Sequence, residues 1–275
     1  MAESLIESEA WIRLACFSTI FVVMAVWELA APRRPRPIGR SVRWPGNILV
    51  VVIDTVVVRI LLPTSAVTVA LAVDAQGWGL LQLVTLPLWV AALLSVVLLD
   101  LAIYAQHVVF HYVPVLWRLH RMHHADIDID VTTGARFHPV EILLSMCIKF
   151  ALIVILGAPA VGVLIFEVIL NATAMFNHSN VNVSARIDRW LRCLVVTPDM
   201  HRVHHSIVGR ETNSNFGFNL PWWDRIFSTY RAQPAAGHQA MTIGIEQFRD
   251  PRELRIDRML LQPLRPGSPP TIETA

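Results

Sequence analysis

Four apolar runs, Trp11 to Ala31, Ile48 to Val73, Leu80 to Leu99 and Ile142 to Asn171, constrain this chain more than any other feature. About 20 apolar residues in a helix cross the hydrocarbon layer of a bilayer, and each run is of that length or longer. Hydrophobic residues make up 54% of the sequence and charged residues 16%, with a mean hydropathy of +0.50, which is not the balance of a soluble globule. Backbone polar groups in lipid must be satisfied within their own segment, so these runs are expected as helices. The expected class is an all-α integral membrane protein, with about three transmembrane helices plus a membrane helical hairpin under a cytosolic helical cap. The net charge of +2, with no basic stripe among aromatics, points to no nucleic-acid partner. Cys16, Cys147 and Cys193 lie far apart, which argues against a disulfide framework and a thiolate metal site.

Charge sets the expected topology. The first run carries Arg13 and Glu28 near its ends, where charged side chains can reach the interface. Acidic residues precede it and no small-residue cleavage site follows, so it is expected as an uncleaved span. Arg33, Arg34, Arg36, Arg40 and Arg43 come next among prolines, a loop that belongs on the cytoplasmic side. The second run contains Asp54, Arg59 and Pro63. Ionisable residues at that depth invite a functional role, but a structural pair explains them equally well, and none is assigned. Asp74 to Gly79 makes a short outer turn, and the third run returns to the cytoplasmic side. The fourth is interrupted by Gly157, Ala158 and Pro159. If it starts and ends on one face, these residues are the tip of a hairpin over 142–177. The whole chain, 1–275, then forms a single membrane domain, with transmembrane helices over 11–104, a catalytic region over 105–230 and a tail over 231–275 expected to be loosely ordered and chemically silent.

The catalytic region is named for its histidines. His107 and His111 are one helical turn apart, and His120, His123 and His124 follow at i, i+3, i+4 spacing. Pro114, between them, can end one helix and open the next. His201, His204 and His205 repeat the second spacing after Thr197 and Pro198, which read as helix cap and first residue. His178, in FNHSN, is a ninth candidate. Asp126, Asp128 and Asp130 match no calcium-loop spacing and are expected in a solvated loop. Neutral imidazole suits iron, zinc, copper and nickel alike. A structural zinc would leave half of these histidines idle, whereas two adjacent metals use them all. A site at the membrane face suits a lipid inserted from the bilayer, and a redox metal there, reduced from outside, could activate oxygen against an unactivated C–H bond.

The set Asp100, Tyr104, HVVFH, LWRLHRMHH, RFHPVE, FNHSN, TPDMHRVHH and NFGFNLPWWDRIFSTY resembles the fatty acid hydroxylase and sterol desaturase superfamily from about Asp100 to Tyr230. The resemblance implies a di-iron membrane oxygenase whose helical cap holds two iron ions, for which zinc may substitute on purification. It implies hydroxylation or desaturation of a sterol, fatty acid, carotenoid or ether lipid. The ligands implied are His107, His111, His120, His123, His124, His178, His201, His204 and His205. Some members carry a further histidine where this sequence has Ala174, which leaves a place open to water or approached by His138. His138, Asp199 and Asp224 are candidates to orient ring N–H groups. Electrons are expected from a separate reductase with a ferredoxin or haem carrier, and the lean architecture suggests a bacterial inner membrane.

Two other readings compete. A zinc-dependent membrane hydrolase would need a carboxylate base beside an open metal position, and the histidine clusters contain none. A metal-binding or transport protein would spread its ligands along the spans rather than gather them at one face. His238 is expected at the surface, Trp222 and Trp223 as interfacial anchors, and Tyr104 either in the core or donating to the site.

Overall fold

The computed structural model describes residues 2–267, and among them every regular element is helical. Five stretches are long and apolar enough to cross a membrane, as an integral membrane protein requires: Ser8–Ala30, Arg40–Leu83, Leu88–Tyr112, Pro139–Leu156 and Ala160–His178. Helix α1 (Ala2–Ala30) forms the first span.

The second run is broken where its sequence breaks it. Helix α2 (Arg40–Leu61) stops because Pro63 disfavours helical geometry at Leu62, which sits at φ −127° and ψ 76°. Ser65 then caps α3 (Ala66–Gln76) by accepting from Thr68 N at 3.0 Å. The third span starts later than its apolar run. Pro87, which has no N–H to give a preceding turn, opens α4 (Leu88–Tyr112), while Leu80–Leu83 makes only a 3-10 turn. One continuous helix therefore carries the chain across the apolar layer and into His107 and His111. Pro114 opens α5 (Pro114–His124) as its spacing predicts.

Helices α6 (Pro139–Leu156) and α7 (Ala160–His178) form the hairpin. Gly157 turns the tip at φ 66°, and a Cβ there would lie 2.5 Å from the Trp78 carbonyl. Gly79 is at φ 103°, and its Cβ would fall 2.1 Å from Gly157 N, so neither turn tolerates a side chain where the two meet. Both legs return to the cap, since Glu141 touches His120 and His178 touches His123. Helix α3 packs against both legs, and Lys149 bridges them to Glu167 at 2.8 Å.

The arginine loop is not simply solvated. Glu28, expected at the interface, is fully buried at the end of α1, where it accepts from Arg36, Arg40, Val131 N and Asn180 N. Arg43 enters the cap and forms a bidentate pair with Asp126, at 2.8 Å through both Nε and Nη2, and a second pair with Asp130 at 2.6 Å. Asp126, Asp128 and Asp130 are thus fully buried rather than in a solvated loop. A guanidinium that stays charged holds carboxylates inside where water otherwise would.

The cap continues through α8 (Ala185–Leu191), α9 (Pro198–His204), α10 (Gly209–Thr212) and α11 (Trp222–Ile226). The tail is not loose up to residue 267. It forms α12 (Gly237–Ala240) and α13 (Ile256–Leu261) and buries Met241, Ile243, Leu254 and Met259. Its Gln262 and Arg265 carbonyls receive the buried Arg121 guanidinium, and Gly244 N donates to His205 O at 2.9 Å. Residues 268–275 of the tail lie outside the described residues. His238, expected at the surface, is 5% exposed because α12 packs on α9, with its Nε2 3.5 Å from Asp199.

Candidate metal centre

Adjacent residues on a helix diverge by about 100°, whereas residues four apart nearly coincide. In α5 this sends His120 and His124 one way and His123 another. In α9 and its C-terminal cap it separates His204 from His201 and His205. The structure accordingly sorts the imidazoles into two groups. His107, His111, His120, His124 and His204 form the first, and His123, His178, His201 and His205 the second. Within each group the candidate ligand nitrogens all lie within 4.8 Å of one another, and every member is buried. All nine histidines singled out in the sequence are brought together.

The outer nitrogens fix the tautomers. Nδ1 lies 2.8 Å from the Phe216 carbonyl in His107, 2.7 Å from Ala174 O in His178, 2.8 Å from Ser214 O in His204 and 3.2 Å from Arg136 O in His123. A carbonyl only accepts, so each of these Nδ1 atoms carries the proton and each Nε2 turns a lone pair inward. His120 Nδ1 meets Glu141 Oε1 at 2.6 Å, and His111 Nδ1 meets Asn213 Oδ1 at 3.2 Å.

The inward nitrogens then face one another. Nε2 atoms approach to 3.1 Å between His123 and His178, 3.0 Å between His178 and His201, and 3.1 Å between His111 and His124. The Nε2 atoms of His107, His120 and His204 and both ring nitrogens of His205 are buried without any hydrogen-bond partner. Such an arrangement is costly unless protons or cations lie between the lone pairs. Protons are disfavoured. Burial, reinforced by the neighbouring imidazoles, drives His123, His124, His201 and His205 well below the ordinary imidazole range, and burial takes His204 to about 3. Two nitrogens about 2.1 Å from one ion at a right angle are about 3.0 Å apart, so the donor set fits a divalent metal in each group.

His138 joins neither group. Its Nδ1 caps α6 by accepting from Val140 N, and its Nε2 lies 3.3 Å from Leu260 O. Asp199 meets Arg33, Arg202 and His238 rather than a cluster imidazole. Asp224 acts at one remove, accepting from Phe216 N and Gly217 N at 2.8 Å and so fixing the loop whose carbonyl holds His107. Trp223 is buried rather than interfacial, and its Nε1 donates to Asp100 at 2.8 Å. Trp222 remains 40% exposed. Tyr104 packs on Phe216 and Phe227 and meets Thr229, not a histidine.

Among the described residues Glu141 is the carboxylate that meets a cluster ring, and sequence reasoning misses it. Its signal was available: Pro139 marks a helix start, and side chains in a first turn lean back toward the N-terminus, here toward the cap. The carbonyls of Phe216, Ser214, Arg136 and Ala174 carry no sequence signal at all. Gly134 has a packing role beside them, since a Cβ there would lie 2.5 Å from Ala174 O and 3.2 Å from His178 Nδ1.

A cavity of about 380 Å³ adjoins the first group, where His107, His120, Phe110, Phe137 and Glu141 form part of its wall. Phe17, Val51, Ile103, Met146 and Leu170 continue it among the membrane helices, together with Asp54, Lys149 and Glu167.

Comparisons with known proteins give the family. The fatty acid hydroxylase family model matches residues 92–229, just over half of the chain. An ornithine lipid hydroxylase of Rhizobium tropici is 30% identical over 148 residues, which is 54% of this chain and 44% of that protein. An alkylglycerol monooxygenase of Homo sapiens is 27% identical over 165 residues, covering 58% of this chain and 34% of the relative. Its counterpart in Xenopus tropicalis is 25% identical over 192 residues, 67% of this chain and 40% of that one. The match thus spans less than half the length of each relative. No solved structure matches. With two histidine groups at the end of an all-helical membrane scaffold and a family match that contains every one of those histidines, this chain belongs to the fatty acid hydroxylase family.

Proposed function

We propose that this chain is a membrane lipid hydroxylase that holds two iron ions, one in each histidine group. It would use dioxygen and electrons from a separate reductase with a ferredoxin or haem carrier. The observation that carries this is the facing set of buried imidazole nitrogens, which is costly without cations and adjoins a largely apolar cavity. The names of the relatives, hydroxylase and monooxygenase, favour hydroxylation over desaturation. Iron bound there would supply the redox chemistry that an unactivated C–H bond demands, converting the lipid, dioxygen, two electrons and two protons into an alcohol and water.

The chain's own residues prepare that chemistry. His107 and His120, two members of the first group, line the cavity, so a lipid in the cavity lies against that group. Glu141 fixes the His120 ring through Nδ1, which leaves Nε2 free to ligate and adds electron density to the imidazole. Phe137 stacks on His123 with centroids 4.5 Å apart, and Phe216 packs on His107, His111 and His204, so rings rather than water fill the space around the site. Five arginines at the cap end of α1 and α2 support a cytoplasmic position for the histidines, and a bacterial inner membrane is the membrane proposed.

A zinc hydrolase is less well supported, because the carboxylate nearest the site is already engaged by His120. Metal content and oxygen uptake test the proposal together. Iron-replete, detergent-purified protein should hold two irons per chain and consume oxygen only with reductant and a lipid extract. Full activity after replacement of iron by zinc would sink the proposal.

A further inference from the structure

We propose that the cavity binds its lipid through a primary ammonium group, and that Asp54 is the residue that receives it. The idea rests on the lipid hydroxylase reading and narrows its substrate to an amphiphile bearing an amine.

Asp54 stands on α2 in the wall of the same cavity as His107 and His120. It is 8% exposed, and its Oδ1 is buried without a hydrogen-bond partner. Two other buried carboxylates of the spans are matched. Glu167 has Lys149 at 2.8 Å and Arg13 at 3.0 Å, and Asp100 has Trp223 Nε1 and two backbone N–H groups. Among the described residues no cation forms an ion pair with Asp54. Arg13 and Lys149 are engaged by Glu167, and Arg59, which also lines the cavity, is exposed and forms no ion pair with Asp54. Glu141 adds a second carboxylate to the same wall, with its Oε2 also unpartnered.

A lone carboxylate in an apolar wall is costly, and the ligand that best relieves it supplies both charge and hydrogen-bond donors. A primary ammonium does so with three N–H groups. A hydroxyl would donate one bond and leave the charge unmatched, a quaternary ammonium would donate none, and a phosphate or carboxylate would bring like charge against Asp54. The depth is also suitable. Asn47 of α2 bonds Asp126 and Thr132 of the cap, and Asp54, seven residues on, lies about 10 Å further along the helix axis toward the apolar layer. An ammonium on Asp54 would therefore anchor a lipid within the chamber that the histidines border.

Calorimetric titration of the detergent-purified protein with hexadecylamine and with N-acetyl-hexadecylamine tests this, since the two share a chain and differ in charge. The wild type should bind the amine at least tenfold more tightly. In Asp54→Asn the ratio should fall to near one, in Asp54→Glu it should persist, and iron content should be unchanged in both. Equal binding of the two probes to the wild type, which needs no variant to fold, would overturn the proposal, as would an undiminished preference in Asp54→Asn. Amine preference in a protein that oxidises no lipid would leave the Asp54 site standing and remove the hydroxylase reading instead.

Discussion

On the outer faces of α1, α2 and α4, Trp11, Val22, Val26, Val56 and Leu93 are exposed, whereas the cap hides Arg43, Asp126, Asp130, Arg136 and Arg202. The two regions invert each other's burial, and the backbone is the reason. In the spans each helix satisfies its own N–H and C=O groups, so its outside can be apolar and face lipid. In the cap the chain between α5 and α6, and again after α9, is irregular. Its polar groups are met by buried side chains such as Arg43, Asn47, Asn215 and Asp224. The spans therefore hold together by packing, while the cap depends on a few polar residues that each satisfy several partners.

Substitutions on the two sides of this divide should differ sharply. The largest effect is expected at the histidines themselves. His204→Ala and His178→Ala should each release iron from their own group and lower product formation about a thousandfold or more, measured by metal analysis and oxygen-dependent turnover. Next is Arg43→Met, which leaves Asp126 and Asp130 buried without their cation. It should cost about 3–5 kcal/mol in denaturant unfolding, and Arg43→Lys, lacking the fork, should recover only part of that.

Smaller effects sharpen the comparison. Glu141→Ala should weaken metal binding about 10–100-fold, whereas Glu141→Gln keeps an acceptor oxygen for His120 Nδ1 and should lose less. Acid should act on the cap. The folded pKa of His204, about 3, lies below the ordinary imidazole value, so the unfolded chain takes up the proton first. The stability it contributes is complete above about pH 6.5 and is lost as pH falls from there toward 3, at about 1.4 kcal/mol per proton per pH unit. The thermal midpoint of metal-free protein should therefore drop between pH 7.5 and 5.5. At the bottom of the scale, Val22→Leu on the lipid face should change stability by less than about 0.5 kcal/mol.

Local patterns in the sequence were legible in proportion to how local their physics is. The i, i+3, i+4 spacing placed the histidines, and Thr197 and Pro198 placed the start of α9, because helix periodicity and capping act within one turn. The Gly157–Pro159 hairpin followed from requiring both ends of one apolar run on one face. The aspartates at 126, 128 and 130 misled, since the arginine that buries Asp126 stands 83 residues earlier in the chain. His238 and the tail misled for the same reason, as polar composition gives no hint that Arg121 and α9 receive them.

By itself, then, the sequence determined that the chain is a helical membrane protein whose histidines are spaced as candidate metal ligands. Those conclusions need only hydropathy, periodicity and side-chain chemistry, all written in order along the chain. Tertiary structure alone decided how nine imidazoles divide into groups of five and four, which carbonyls and which carboxylate aim them, and that Asp54 shares their cavity. Each of these depends on where separate helices cross, and a crossing brings together residues whose separation in sequence records nothing of it.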